Sequence, residues 1–390
     1  MQPKTITRSL AFLLICLIPQ SFILANGLNY GDPPDAHHPW SVHDRNRPQP
    51  PRVEPGATVG APPSDAVVLF DGTEASFREN WKHYKPEDKR KGDWLVKDGV
   101  LQCTPGAGFI GTKEDFGDCQ LHIEWAAPLE IRGKGQGRGN SGVFIMGVEV
   151  QVLDNYENPT YADGTAGAVY GVMPPAVNPL RSPTEWQSYD IIFRRPIDKD
   201  GVIVDEGAMT VLINGVVVQD NTPLEGGGGW RRRAKSRIFP DKGPISLQDH
   251  GNPVRFRNIW CRPLRPRAVQ GGFDGRLSPE ATMAKREEIA AEVRADADNM
   301  EGLGKTIRLL ESLHYTHDDD AWDEADLYIQ DYMDELSDAS ESEIRDRRWD
   351  ITKLFMSLKY LQKHNLGPAN YPATPQLEAI MTEQGWKWKL

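Results

Sequence analysis

Three short runs place side chains able to move protons, hold a metal or bind hydroxyls at period-two spacing. In Val148-Glu149-Val150-Gln151-Val152-Leu153-Asp154, alternation sets Glu149 and Gln151 on one face of a strand and Val150 and Val152 on the other. In Leu121-His122-Ile123-Glu124-Trp125, His122 and Glu124 share a face in the same way. Leu247-Gln248-Asp249-His250-Gly251 ends an apolar run with three polar side chains together. With the valines packed inward, the carboxylate and amide must look outward or into a cleft. Two readings stay open. These are the wet faces that antiparallel strands commonly carry, or carboxylate, amide and imidazole converge on a concave, sugar-binding face.

Other suggestive stretches read as loops. Gly133-Lys134-Gly135-Gln136-Gly137-Arg138-Gly139 looks like a phosphate loop, but such a loop lies between a strand and a helix. Here the glycines lead into the apolar run Val143–Met146, so the segment reads as a mobile loop at the rim of a site. Gly226–Gly229, followed by Arg231, Arg232, Arg233 and Lys235, is a second flexible and locally basic loop. It could touch an anionic group, although a solvated loop is the plainer reading. His37, His38 and His43 lack the Cys or paired-carboxylate spacing of a metal site and read as solvated.

The elements that must position these residues are short. Between Ala66 and Leu264 the runs Val67–Phe70, Trp94–Val96, Val100–Cys103, Gln120–Ala126, Gly142–Met146, Val148–Leu153, Trp186–Phe193, Met209–Ile213, Val216–Gln219, Ile245–Gln248 and Val254–Cys261 predict strands. Asp98-Gly99 and Asn214-Gly215 lie between paired runs and favour the positive φ angles of two-residue hairpins. No strong helical pattern interrupts them, which implies antiparallel sheets packed as a sandwich. From Ser278 the period becomes helical. Ser278-Pro279-Glu280 supplies a cap, a first-turn proline and an acidic first turn. Trp322, Ala325, Ile329, Tyr332, Met333 and Leu336 form one helical stripe; Trp349, Ile351, Leu354, Phe355, Leu358 and Leu361 form the next, which stops before Gly367-Pro368. Both read as packing faces rather than partner-binding ones.

The chain has 390 residues, long enough for two or three domains. Residues 1–25 carry Lys4 and Arg8, an apolar run from Leu10 to Ile18 and Ala25 before Asn26. They read as a secretory signal peptide, so export to the periplasm or the exterior is expected, with no stable membrane span after processing. An uncleaved anchor and lipidation at Cys16 are lesser readings. Residues 26–65 are proline-rich, with Pro33-Pro34, Pro50-Pro51 and Pro62-Pro63, and read as an extended linker. Thirty prolines and 36 glycines fit that linker and a turn-rich β domain. A net charge of -11 argues against nucleic acid as a partner and favours a small neutral molecule or another protein. Export leaves Cys103, Cys119 and Cys261: either one disulfide, with Cys103–Cys119 nearer in sequence, or three buried thiols.

At the strand residues a family resemblance becomes specific. Leu69-Phe70-Asp71-Gly72, Trp94…Asp98-Gly99-Val100-Leu101, Phe116-Gly117-Asp118…Leu121…Glu124-Trp125 and Asn140-Ser141-Gly142-Val143-Phe144 occur in order. Glu149–Asp154, Gly167-Ala168-Val169-Tyr170, Glu185-Trp186, Leu212-Ile213-Asn214-Gly215, Ile245–Gly251 and Val254–Ile259 follow. With these blocks, residues 66–264 resemble the 3-keto-disaccharide hydrolase domain family, formerly a domain of unknown function. One departure is Gln187, where the family usually has asparagine after Glu-Trp. The resemblance says nothing of residues 275–390, the α-helical extension, whose partner is left open.

The resemblance implies an all-β jelly-roll sandwich of the concanavalin A-like lectin/glucanase type, here followed by a small α-helical C-terminal region. It also implies a hydrolase of 3-keto-glycosides or 3-keto-disaccharides. A C3 ketone acidifies the C2 proton, so a base removes it, the glycosidic oxygen leaves from C1, and water then adds. Glu149, Asp154 and His250 are the expected catalytic residues: His250 as base or metal ligand, Glu149 as second acid/base or ligand, Asp154 as its orienting group. A divalent cation on Glu149 and His250 is one means of stabilising the enolate. Asn140, Gln151, Tyr170, Gln248 and Arg257 would hold the carbohydrate's hydroxyls and ketone, with Trp186 as a stacking wall. Arg257 reads equally as a structural partner of a buried carboxylate, and Asn140 as a turn residue. Two other classes remain: a non-catalytic carbohydrate-binding module, and a cell-envelope interaction protein working through the helical tail.

Overall fold

The valines, leucines and aromatics that alternate along the middle of the chain become the shared interior of two sheets. The computed structural model describes residues 27–84, 92–267 and 277–388. It divides into two compact units, one of residues 51–266, the other of the described residues up to Pro50 together with those from Arg267 on. The expected leader, residues 1–25, lies outside the described residues.

Among the described residues the first unit has strands β1 (Val67–Phe70), β2 (Trp81–His83), β3 (Leu95–Lys97), β4 (Val100–Gln102), β5 (Ile110–Thr112), β6 (Cys119–Ala126), β7 (Ser141–Ile145), β8 (Val148–Val152), β9 (Gln187–Arg194), β10 (Ile197–Lys199), β11 (Val202–Asp205), β12 (Ala208–Ile213), β13 (Val216–Pro223), β14 (Ile245–Leu247) and β15 (Arg255–Pro263). An eight-stranded antiparallel sheet runs β13-β12-β9-β6-β15-β4-β3, with β1 also on β15; a five-stranded sheet runs β2-β5-β14-β7-β8. β10 and β11 pair separately. This is the expected all-β sandwich. Asp98-Gly99 and Asn214-Gly215 take φ near 52° and 77°, and 53° and 79°, as two-residue hairpins require. Four strands escape the sequence reading. β2 and β5 are three residues long, too short for alternation to show. β10 and β11 flank an Asp200-Gly201 turn, a signal present in the sequence but not used. A seven-residue helix, α1 (Glu74–Asn80), capped by Thr73, also interrupts the strands.

The core fixes which side chains face out. Leu121, Ile123, Trp125, Tyr189, Ile191, Phe193, Phe256 and Cys261 fill the interior from the larger sheet, and Val143, Ile145, Val148, Val150 and Val152 from the smaller. A bulge at Asn258 (φ 47°) sets two residues of β15, Asn258 and Ile259, opposite one of β6, Ile123, so Phe256, Ile259 and Cys261 all stay inside. Cys103, Cys119 and Cys261 are buried and free. Strand pairing sets Pro263 opposite Cys119 and Cys261 opposite Leu121, so Cys119 lies beside Cys261 rather than Cys103. Nearness in sequence was no guide to that pairing.

The second unit holds α2 (Pro279–Ala297), α3 (Gly302–Ser312), α4 (Asp319–Ser337), α5 (Glu341–Asp346), α6 (Arg348–Lys363) and α7 (Ala373–Glu383). Ser278 caps α2 as expected, and the stripes on α4 and α6 are buried except for the half-buried Trp322 and Met333 and for Trp349, which is exposed at the start of α6. No helix among the described residues is long and apolar enough to cross a membrane. Residues 27–50 are not an extended linker. Leu28 and Tyr30 are buried in the core of the helices, and Trp40 packs with Ile289, Val293 and Tyr315. The backbone is held as well: Leu28 N–H donates to Ser357 Oγ at 2.8 Å, and Tyr360 O–H donates to the Gly31 carbonyl at 3.0 Å. Composition tests whether a segment can bury surface by itself, whereas this one is buried by helices some 300 residues later.

The two halves of the proline-rich stretch should therefore respond differently. Leu28→Ala should lower unfolding stability of the helical unit by about 2–5 kcal/mol, while Val59→Ala, at a fully exposed position, should change it by less than about 0.5 kcal/mol. Denaturant titration followed by far-UV circular dichroism measures both. A neutral Leu28→Ala would restore the linker reading.

Candidate functional site

The β7–β8 hairpin carries the carboxylate. Its turn, Met146-Gly147, takes φ of 50° and 78° and brings Phe144 opposite Glu149 and Gly142 opposite Gln151. Because the valines point inward, Phe144, Glu149 and Gln151 stand on the outer face of the smaller sheet. A side chain at Gly142 would strike Glu149 Oε1, so this glycine keeps open the space the carboxyl occupies. β14 pairs with β7, Leu247 opposite Val143, and its end delivers Gln248 and His250 to the same side. Ser141 Oγ donates to the Gln248 carbonyl at 2.6 Å and fixes that strand end. Asp249 takes no part in the cavity. It accepts the N–H groups of Gly106, Gly108 and Gly251 at 2.7–2.9 Å and organises the loops.

The result is a cavity of about 510 Å³ lined by Asn140, Glu149, Gln151, Tyr170, Gln248 and His250. All six were candidates from the sequence. Its polar groups fall into two kinds. The first are already engaged: Gln151 Nε2 donates to Asn140 Oδ1 at 3.1 Å, Asn140 Nδ2 to the Gln136 carbonyl at 2.8 Å, and Gln136 Nε2 to the Gly164 carbonyl at 2.8 Å. The hydroxyls of Tyr161 and Tyr170 lie 3.0 Å apart. Burial, then the Tyr161 hydrogen bond and nearby negative charge, push the Tyr170 phenol up, so it remains an O–H donor. The second kind is unengaged. Gln248 Oε1 is buried without a hydrogen-bond partner. Among the described residues Glu149 has neither a hydrogen-bond donor nor a cation at its carboxyl, and burial pushes its pKa up to about 8. It is a carboxylic acid held mostly neutral at pH 7, in a cleft. Such groups mark sites of proton transfer.

Three expected site residues are elsewhere. Asp154 is buried against Arg138, 2.9 Å from Nη2, and lines a different cleft, so it does not orient Glu149. Arg138 also donates to the Asp154 carbonyl, which makes the pair a brace for the loop after β8. Trp186 and Arg257 lie on the outer face of the larger sheet, with His122 and Glu124, in a separate cavity of about 620 Å³. Alternation places a residue outside a sandwich but does not say on which of its two outsides.

That second face is chemically closed. His122 Nδ1 lies 2.7 Å from Asp190; Arg257 donates to Glu124 Oε2 at 2.6 Å; Asn258 donates to Glu124 Oε1 at 2.9 Å. Arg257 also covers the Trp186 ring at 4.2 Å. The Gly60 carbonyl, from the proline-rich segment, accepts from Asn258 Nδ2 and Trp260 Nε1 at 2.8 and 2.9 Å. Most of the charged groups on this face are thus paired with one another. The structural reading of Arg257 therefore stands, and the Glu149 cavity is the better candidate.

Five lining side chains were missed, those of Phe109, Gln136, Phe144, Tyr161 and Trp230, beside the backbone of Gly228 and Gly229. Phe144 was within reach, since it shares the alternation of its hairpin. Gln136 was hidden in the glycine run, where the turn Gly135–Gly137 sets it at the cavity as the rim expectation implied. Tyr161 and Trp230 come from loops with no periodicity. For a metal, Glu149 and His250 share a wall, but no group of three or more His, Cys, Asp or Glu gathers among the described residues. Amides and aromatics surround them. That donor set does not fit a resident divalent ion, and no step below is routed through one.

Residues 65–262 match the family model of the 3-keto-alpha-glucoside-1,2-lyase-like domain. A curated Bacteroides thetaiotaomicron protein named 3-keto-disaccharide hydrolase is 24% identical over 234 residues, 51% of this chain and 78% of that protein. Among solved structures, a Parabacteroides distasonis protein provisionally described as a glycosyl hydrolase is 43% identical, with a TM-score of 0.50, over 56% of this chain and 93% of its own. A second protein of that organism and description is 24% identical, with a TM-score of 0.36, over 51% of this chain and 99% of its own.

The raised Glu149 carboxyl gives stability a definite pH dependence. Its folded pKa, about 8, exceeds the ordinary value of 4.5, so the folded state binds the extra proton between those pH values. The contribution is fully present below about 4.5 and is lost as pH rises through about 8, with a slope approaching about 1.4 kcal/mol per pH unit. Glu149→Gln should flatten this part of the profile, as measured by denaturant titration at several pH values. An unchanged profile would mean that the carboxyl is solvated.

Proposed function

The chain belongs to the 3-keto-alpha-glucoside-1,2-lyase-like domain family, and from that premise we propose that the Glu149 cavity cleaves glycosides whose sugar carries a ketone at C3. The observation that carries the reading is the neutral, unpartnered Glu149 in one cavity with the His250 imidazole. The C3 ketone lets the C2–H bond break toward a base. His250 takes that proton, the electron pair moves through an enolate, and the C1–O1 bond breaks. Glu149 donates its proton to the departing oxygen. This leaves an enone, a Glu149 carboxylate and a protonated His250. Water then adds: its oxygen bonds to C1, its proton goes to Glu149, and His250 returns a proton to C2. Both residues are restored and the net change is hydrolysis.

The cavity's other groups serve this route. The phenol of Tyr170, kept protonated, is a donor for the enolate oxygen. Gln248 Oε1, buried and unpaired, is an acceptor for a sugar hydroxyl. The Gln151–Asn140–Gln136 chain holds the wall in one arrangement rather than reaching for substrate. Ordinary glycosidases use two carboxylates flanking C1, and the Glu149 cavity lined by the described residues holds one. If residues 1–25 act as a secretory signal, the reaction takes place outside the cytoplasm.

The test is incubation with an aryl 3-keto-glucoside in heavy water. Aglycone should be released and the keto sugar should carry deuterium at C2; Glu149→Gln and His250→Ala should each lower the rate by about 10²–10⁴-fold. Since the acid form of Glu149 is needed, the rate should fall as pH rises through about 8. Release without deuterium at C2 would discard the elimination route, and release that survives His250→Ala would discard the base. Tight sugar binding with no turnover would make the sandwich a carbohydrate-binding module.

A further inference from the structure

The acidic chain carries a basic loop at residues 231–235, and the fold sets it at the mouth of the Glu149 cavity. A second cavity of about 410 Å³ is lined by Arg231, Arg232 and Arg233 together with Tyr161, Tyr170 and Trp230. Those three aromatic residues line the Glu149 cavity as well, so the two spaces adjoin. The arginines make no ion pair among the described residues. Arg231 lies 4.7 Å over the Trp230 ring, which keeps its guanidinium at the tip of the loop. Asp163 is a carboxylate on that wall, against three cations.

The loop is held rather than loose. Gly229 and Arg232 exchange main-chain hydrogen bonds at 2.9 and 3.3 Å around Trp230-Arg231, a tight turn in which Arg231 takes a φ of 54°. The backbone at Gly228 presses on Tyr170 and Gly171 so closely that a Cβ there would strike the Tyr170 carbonyl. Arg237 anchors the following segment by donating to the Met146 carbonyl at 2.6 Å, in the turn of the hairpin that bears Glu149. Solvated arginines need no such clamp.

We propose that this cavity is a subsite for an anionic group, so that the departing part of the substrate carries a carboxylate or a sulfate. The proposal rests on the reading of the Glu149 cavity as the cleavage site. The sugar that loses its C2 proton can be neutral, while the group leaving past Tyr161, Tyr170 and Trp230 meets the arginines. A planar anion also suits Arg geometry, since a guanidinium offers paired N–H donors to two oxygens.

The experiment compares 3-keto-glucosides of 4-hydroxybenzoate, of its neutral methyl ester and of 4-hydroxybenzenesulfonate with the full chain. At low salt, kcat/KM for an anionic substrate should exceed that for the ester by about five- to tenfold. The ratio should fall toward one in high salt and in an Arg231→Ser/Arg232→Ser/Arg233→Ser variant. Preference for either anion supports the subsite, and the anion preferred names the source. Equal kcat/KM for charged and neutral substrates, or a preference that survives the triple variant, overturns it. If none is cleaved, the cleavage reading fails, and calorimetry decides on the subsite alone. Free 4-hydroxybenzoate or 4-hydroxybenzenesulfonate should bind more tightly than methyl 4-hydroxybenzoate, and equal binding rejects the site.

Discussion

A carboxyl held in a cavity without a hydrogen bond or a cation cannot keep itself in place. Among the described residues nothing around Glu149 attracts its charged form, and burial favours the neutral one. Its position must therefore be imposed from behind. The Val143–Val150 pairing in the β7–β8 hairpin and the apolar interior beneath it do this. Gly142 completes the arrangement by leaving the volume that the carboxyl fills. The buried core is thus what sustains an otherwise unfavourable group at the surface of the smaller sheet. Perturbed acids at functional sites are commonly maintained in this way.

The same sandwich shows what a settled polar face looks like. On the larger sheet, His122, Glu124, Asp190, Arg257 and Asn258 satisfy one another, and the proline-rich segment adds its Gly60 carbonyl to the network. The bulge at Asn258 both keeps the core in register and turns that amide toward Glu124 and Gly60. Paired networks of this kind stabilise and specify, and they leave fewer groups for a ligand. The difference between the two faces lies in unused hydrogen-bonding capacity. Both faces carry carboxylate, amide and aromatic side chains.

Much of this was readable in the sequence, and the failures have common causes. The sandwich followed from short alternating runs and Asp-Gly and Asn-Gly turns, because both signals are local. Glu149 and Gln151 were placed on one outward face for the same reason. Asp154 was misread because it lies past the end of β8, where alternation stops and the Arg138 pair takes over. Trp186 and Arg257 were assigned to the wrong wall because period-two logic is blind to which sheet a strand joins. Leu28 and Tyr30 were missed because their burial is supplied by helices far along the chain. Long-range pairing, in each case, was the missing information.

The placement of acid and anion subsite gives the proposed reaction a direction. The acid must face the glycosidic oxygen, so the leaving group has to lie on the Glu149 side of C1. Tyr170 is on that side, close enough to Glu149 for the carboxylate charge to raise its own pKa. Tyr170 and its hydrogen-bonded partner Tyr161 also wall the arginine-lined cavity. In the proposed reaction a leaving group protonated by Glu149 would therefore already be travelling toward the basic loop. In the proposed reaction the released sugar would stay between Glu149 and His250, where the water that follows needs the same two groups in reversed roles. An anion held at the arginines would keep the leaving group extended during elimination and draw it away from C1 before water adds.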